Sequence, residues 1–335
     1  MISEAMLTVT EHGLYCAAGD FHIDPWQPVA RALITHAHSD HARAGSAGYL
    51  CAAPGVGVLR ARLGPGAALE GIPYGERRVR NGVTVSFHPA GHVLGAAQIR
   101  VEHRGEVWVA SGDYKTQPDP TCAPFEPVRC DTFITESTFG LPVYQWPEPA
   151  TVMREVHDWW RRNQAAGRTS VLFAYSLGKA QRILAQLDAT TGPLLVHPAV
   201  GALLPAYEAA GVHFPPTQPA TAENLRATGG QSLVIAPPAA DGSALLRAAG
   251  EVSTAFASGW MAVRGTRRWR AADRGFVLSD HADWFGLNDA IRATGARRVL
   301  VTHGYTKPLV RWLRERGFEA DELATQFQGE GANHE

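Results

Sequence analysis

Cysteine is scarce in this chain. The four residues at positions 16, 51, 122 and 130 of 335 form no CxxC pair, which argues against a disulfide framework and against a thiolate metal site. A reducing, cytoplasmic setting is the expectation. Long apolar runs are missing too: none approaches the roughly 20 residues needed to cross a bilayer. The opening residues Met1, Ile2, Ser3, Glu4 and Ala5 lack the basic stretch and apolar core of a secretory leader, so no membrane partner is expected. Charge of one sign is also lacking, with 31 Lys and Arg against 32 Asp and Glu and a formal net charge of -1. No global positive field gathers polyanions, so any polyanionic substrate must be held by local groups. What remains is an ordinary globular composition, 45% hydrophobic and 19% charged. The length suits two domains, or one domain carrying a large insertion.

Against that background, residues 35–41 stand out. Thr35-His36-Ala37-His38-Ser39-Asp40-His41 places three imidazoles and a carboxylate directly behind the apolar run Ala32-Leu33-Ile34. Such a run reads as a buried strand that delivers the polar cluster to a loop at its end. His36 and His38, two apart, share one face, while Asp40 and His41 turn toward a neighbouring point, a pattern suited to two adjacent metals. Further along, Val83-Thr84-Val85-Ser86-Phe87 alternates as a strand and leads to His92. The glycines at 91 and 95 let the backbone turn sharply and approach closely there, which marks His92 as a ligand. The strand Val107-Trp108-Val109-Ala110 ends in Ser111-Gly112-Asp113. A carboxylate has two oxygens, so Asp113 is the candidate bridge between two cations.

After Glu136-Ser137-Thr138-Phe139-Gly140 the character changes. Prolines at 142, 147 and 149 precede an alternation of helix over 152–162, strand 171–174, helix 179–187, strand 194–196 and strand 233–236. Alternation of this kind predicts a parallel sheet with helical crossovers. The expected division is 1–144, an inserted α/β domain at 145–262, and a return of the first domain over 263–335. Ligand-type residues reappear where Phe276-Val277-Leu278 runs into His281 and where Arg298-Val299-Leu300-Val301 runs into His303. If the chain comes back to its first fold there, both histidines complete the site begun at His36. Two weaker features suggest substrate contacts. Ser176, Gly178 and Lys179 lie at a loop-to-helix junction that could take a phosphate through backbone amides and an ammonium. Arg264, Arg267, Arg268 and Arg270 with Trp269 form the only dense basic run, and would follow a nucleic-acid backbone while the indole stacks on a base.

In this order, the motifs resemble the metallo-β-lactamase superfamily, and within it the β-CASP nuclease branch. The resemblance rests on His36-Ala37-His38-Ser39-Asp40-His41, on Gly91-His92-Val93-Leu94-Gly95-Ala96-Ala97, on Ser111-Gly112-Asp113-Tyr114 and on Glu136. It extends to Tyr175-Ser176-Leu177-Gly178-Lys179-Ala180-Gln181, Ser258-Gly259-Trp260-Met261, His281 and His303. Ile23-Asp24-Pro25-Trp26 is similar to the bacterial ligase-associated DNA exonucleases of that branch. The resemblance implies an αβ/βα sandwich with an inserted β-CASP domain, and a metal-dependent phosphodiesterase acting on single-stranded DNA or DNA ends, with RNA as the alternative substrate. It also implies one metal on His36, His38 and His92, a second on Asp40, His41 and His303, and Asp113 bridging. A metal-bridging hydroxide would attack, and His281, oriented by Glu136, would act as general acid. Nitrogen and carboxylate ligands without thiolate favour zinc and are compatible with manganese. An ATP-dependent DNA ligase and a helicase are the implied partners.

Overall fold

The computed structural model describes residues 5–263 and 272–325. It divides into two compact units. One comprises residues 1–144 and 281–335, and the other residues 145–280. The arginines expected to contact nucleic acid, among them Arg267 and Arg268, lie outside the described residues.

The first unit is built on two sheets. In the six-stranded sheet the strands run in chain order: Thr8–Thr10, Gly13–Cys16, Phe21–Ile23, Ala32–Leu33, Tyr49–Ala52 and Leu69–Ile72. The first three pair antiparallel, and from Phe21–Ile23 onward the pairing is parallel. The seven-stranded sheet has the order Glu319–Glu322, Arg298–Gly304, Thr132–Ser137, Glu106–Ala110, Ala97–His103, Val83–Pro89 and Arg78–Arg80. Alternation places Val83, Val85, Phe87, Ile99, Val101 and Trp108 on one face, where they pack with Leu14, Phe21, Ile23 and Leu33 of the other sheet. The opposite face of the seven-stranded sheet, carrying Val109, Phe133, Val299 and Val301, is covered by helices Trp284–Thr294 and Thr306–Arg314 through Leu287, Ile291, Leu309 and Leu313. Both faces of the seven-stranded sheet are thus covered, and the polar strand ends are left for the loops.

Register explains which loops meet. Glu106–Ala110, Thr132–Ser137 and Arg298–Gly304 are adjacent and parallel, with Ala110 opposite Ile134 and Glu136 opposite Thr302. Their carboxyl ends coincide, so Asp113, Glu136 and His303 emerge at one edge although 190 residues of sequence separate the first from the last. The six-stranded sheet joins that edge where the Ala97 amide donates to the Thr35 carbonyl at 2.8 Å.

The second unit contains a six-stranded sheet, Gln218–Pro219, Leu194–Val196, Leu233–Ala236, Thr169–Phe173, Val252–Ala257 and Arg274–Phe276, paired parallel throughout. Helices cover it, as the alternating pattern requires. Leu172 faces one core with Trp160 and Ile183, while Val171 and Phe173 face another with Leu225 and Leu246. One expectation is corrected here. The apolar segment at 276–278 does not re-enter the first sheet, because Arg274–Phe276 hydrogen-bonds to Val252–Ala257 as the edge strand of the second unit. That unit therefore runs to Asp280, beyond the expected boundary at 262. No helix among the described residues is long and apolar enough to cross a membrane.

Candidate metal centre

The strand Ala32–Leu33 is only two residues long, and the backbone leaves it into the buried residues Thr35 and His36. What holds this loop is Asp24, in the segment Ile23-Asp24-Pro25-Trp26. Its carboxylate accepts the Thr35 amide at 2.8 Å, the Thr35 hydroxyl at 2.5 Å and His41 Nδ1–H at 2.7 Å. Since the Thr35 hydrogen is committed to Asp24, its oxygen accepts from His36 Nδ1 at 3.1 Å. Both rings are thereby fixed as Nδ1–H tautomers with Nε2 turned inward, the arrangement that ligating histidines need. Nothing in the local sequence signalled this role, because the carboxylate acts on a histidine 17 residues away.

Inward, His36 Nε2 and His92 Nε2 each lie 3.1 Å from His38 Nδ1, and Asp113 Oδ2 lies 3.5 Å from His36 Nε2. His41 Nε2 is 3.4 Å from the same Asp113 oxygen, and His303 Nδ1 is 3.8 Å from Asp113 Oδ1. Two donor groups result, His36, His38, His92 and Asp113 in one and His41, Asp113 and His303 in the other. In each, the donor atoms lie within 4.8 Å of one another. Asp113 belongs to both, the position anticipated for a bridge. Asp40 stands at the margin, its Oδ2 3.7 Å from His41 Nε2, and is not a member of either close group.

These residues suit a divalent cation. Ligands around a tetrahedral zinc at 2.0–2.1 Å stand about 3.3 Å apart, close to the nitrogen spacings found. His41 Nε2 and Asp113 Oδ1 are buried without a hydrogen-bond partner among the described residues, at the points where a cation would be bound. The local field also draws positive charge. Burial pulls His41 down, but Asp113, Asp40 and Asp24 outweigh it and hold the ring well above the ordinary histidine range. Burial, with the neighbouring His41 and His92 rings, holds His36 well below that range and so keeps it neutral, as a ligand must be. Asp113 is kept ionised against burial chiefly by the neighbouring His41 and His303 rings.

Close backbone approach is what glycine supplies. At Gly91, φ is +73°, and a Cβ would stand 2.3 Å from the Lys115 carbonyl oxygen, so the turn that presents His92 admits no side chain. Gly112, at φ +57°, would drive a Cβ to 2.6 Å from Thr35 Cβ, crowding the residue that orients His36. His303 itself has φ +54°, a conformation costing a non-glycine residue about 1–3 kcal/mol. Ser137 Oγ–H donates to its carbonyl and helps to hold it there.

Next to this cluster lies a buried dyad. Both Glu136 oxygens meet His281 Nδ1, at 2.9 and 2.8 Å, and both residues are about 1% exposed. The His281 ring stands 4.7 Å from that of His92. With Nδ1–H donated to Glu136, Nε2 is the nitrogen left to exchange a proton. Asp113, Glu136 and His281 also form a third close group, so the dyad and the two donor groups share one carboxylate.

The second unit corrects the expected phosphate site. Gly178 caps a helix of only six residues, Lys179–Leu184, and its amide donates to Gln181 Oε1 at 2.9 Å, while Gln181 Nε2 donates to the Ser176 carbonyl at 2.9 Å. Lys179 is 1% exposed, with its ammonium 3.2 Å from Asp280 and over the Tyr175 ring at 4.8 Å. The amide and the ammonium that were to receive a phosphate are matched from within the unit.

No model of a known protein family matches the chain. It is 34% identical over 312 residues to a protein of Opitutus terrae named "Probable DNA ligase", an alignment spanning 92% of this chain and 30% of that protein. Over 125 residues, 36% of this chain and 16% of the relative, it is 34% identical to cleavage and polyadenylation specificity factor subunit 3 of Dictyostelium discoideum. An RNase J-like protein of Methanocaldococcus jannaschii is 29% identical over 113 residues, 33% of this chain and 27% of that one. The chain thus spans less than a third of each of these relatives. Among solved structures, a protein of unknown function from Enterococcus faecalis superposes over 90% of this chain and 80% of its own, with a TM-score of 0.59 at 13% identity, a likeness of fold. Together with the order of the histidine and aspartate motifs, these similarities accord with the resemblance of the chain to the β-CASP branch of the metallo-β-lactamase superfamily.

Proposed function

We propose that the chain is a metal-dependent phosphodiesterase, an exonuclease acting on single-stranded DNA or DNA ends in repair. In this reading the first unit is the αβ/βα sandwich and the second the inserted β-CASP domain. The observation that carries it is the His281–Glu136 dyad buried beside a histidine and aspartate cluster. When bound, two divalent cations, zinc or manganese, would activate a water and neutralise charge on the phosphate. His36, His38 and His92 would hold one, Asp40, His41 and His303 the other, with Asp113 shared.

The residues of the chain then supply what the metals do not. Hydrolysis forms a bond from water to phosphorus and breaks the bond to the leaving oxygen, which departs with its electron pair and needs a proton. His281 gives that proton from Nε2, while Glu136 holds Nδ1–H and stabilises the charged ring; the proton released by the water restores the imidazolium. General acid catalysis of this kind contributes about 10²–10⁴-fold.

The relative named a DNA ligase, aligned along 92% of the chain, favours DNA and a working association with a ligase. A helicase partner rests on the sequence resemblance alone. A second reading, an RNA nuclease, is favoured by relatives named for endoribonuclease and RNase J activity. Matched single-stranded DNA and RNA, labelled in turn at each end and incubated with zinc- or manganese-loaded protein, separate the two, with Asp40→Ala as control. Stepwise shortening of DNA with RNA spared supports the repair exonuclease; cleavage of RNA with DNA intact overturns it in favour of RNA processing.

A further inference from the structure

We propose that Tyr114 is a positioning residue for proton transfer by His281, an inference that rests on the general-acid reading above. Its peptide group closes a ring of hydrogen bonds around the dyad. The Tyr114 amide donates to Glu136 Oε1 at 2.8 Å, and the same oxygen accepts His281 Nδ1–H at 2.9 Å. The next residue along the chain, Ala282, donates its amide to the Tyr114 carbonyl at 2.7 Å. Side chain and main chain around His281 are thus tied to one residue, which directly follows the shared carboxylate Asp113. A rotation of the imidazole away from Glu136, or a shift of the 281–282 backbone, breaks a member of this ring.

The phenol fixes the ring to the sheet. The Thr135 hydroxyl donates to the Glu136 carbonyl at 3.0 Å, so its oxygen accepts from Tyr114 O–H, also at 3.0 Å. Tyr114 therefore holds Glu136 at both ends, at the carboxylate through its amide and at the main chain through Thr135. The side chain is fully buried, with its ring stacked on Phe125 at 5.2 Å and 28°. A phenylalanine would fill the same space and keep that stack. What it would lose is the link to Thr135, and with it the tie between the dyad and the strand. Small displacements of a catalytic group are costly because proton transfer requires a narrow range of distance and angle.

The test uses two substrates and two variants, Tyr114→Phe and Thr135→Val, which remove the same hydrogen bond from opposite sides. In a DNA oligonucleotide the leaving oxygen would depart as a poor alkoxide unless the acid protonates it to the alcohol. Bis(p-nitrophenyl) phosphate releases p-nitrophenolate, which leaves without a proton. Both variants are expected to lose about tenfold in kcat on DNA with KM unchanged, and to hydrolyse the activated ester at the wild-type rate. In metal-free, isotopically labelled protein, the sheltered His281 Nδ1–H signal is expected to broaden through faster exchange in both. Equal losses on the two substrates, no loss on either, or an unchanged proton signal would overturn the proposal. His281→Ala is measured alongside: an equal loss on both substrates there refutes the general-acid reading itself. Selective loss in His281→Ala without selectivity in the Tyr114 and Thr135 variants refutes the positioning role alone.

Discussion

Two buried polar clusters in this protein differ in what they leave unbalanced. At the centre built from His36, His38, His92 and Asp113, donor atoms converge on donor atoms, with ring nitrogens 3.1 Å apart and a carboxylate beside them. At Lys179 and Asp280, an ammonium meets a carboxylate at 3.2 Å and a guanidinium, that of Arg182, donates to the Ser279 carbonyl. The second cluster is closed by its own charges. The first gathers the donor set of a cation site. Both sit at strand or helix ends and both are rich in polar residues, so composition does not separate them. The pairing of opposite charges does.

The largest effect that would sharpen this contrast is at the shared carboxylate. Asp113→Ala removes a donor from both groups, and hydrolysis is expected to fall to background with less than one metal per chain by elemental analysis. Retention of two metals would show that the clusters are not one centre. His281→Ala should separate chemistry from binding, losing about 10²–10⁴-fold in kcat with its metals in place. An empty site in that variant would make His281 a ligand instead.

In the closed cluster the expected effect is on stability. Lys179→Met strands Asp280 without its ammonium in the interior, and breaking a buried pair in this way typically costs about 3–5 kcal/mol. A lower urea midpoint with unchanged metal content is the predicted result, and a matched loss of metal would dissolve the distinction between the two clusters. Asp24→Asn is expected to act more gently on the open cluster. It leaves every donor present but loosens the tautomers of His36 and His41, and the typical penalty for such an orienting partner is about 10–100-fold in metal affinity. Competition with a chromophoric chelator measures it. The smallest change, Gly112→Ala, forces a methyl group toward Thr35 at positive φ and should cost about 1–3 kcal/mol with a modest fall in metal affinity. Differential scanning calorimetry with and without metal resolves both components.

Much of this was legible along the chain because the relevant signals are local. The period of two in 83–87, the buried strands 194–196 and 233–236, and the ligand-type residues placed just past strand ends are properties of short windows, and the structure has those strands in place. The glycines beside His92 also announced close backbone approach, which the geometry at Gly91 and Gly95 bears out. The segment 276–278 was misjudged because an apolar run states that it is buried and not which sheet buries it. Lys179 was misjudged for a similar reason: an ammonium near a glycine turn looks available until its partner, 101 positions away, is placed beside it.

By itself, then, the sequence determined the kinds of element, their order, and which side chains have the chemistry of metal ligands, since propensity, period and donor type are written residue by residue. Tertiary structure alone decided which of those side chains share a point in space. Parallel register set the carboxyl ends of 106–110, 132–137 and 298–304 side by side. It carried Asp24 to His41 and Tyr114 to Glu136, and it paired Lys179 with Asp280. Such convergence depends on distances between segments remote in the chain, and those distances are fixed only when strands pair and cores close.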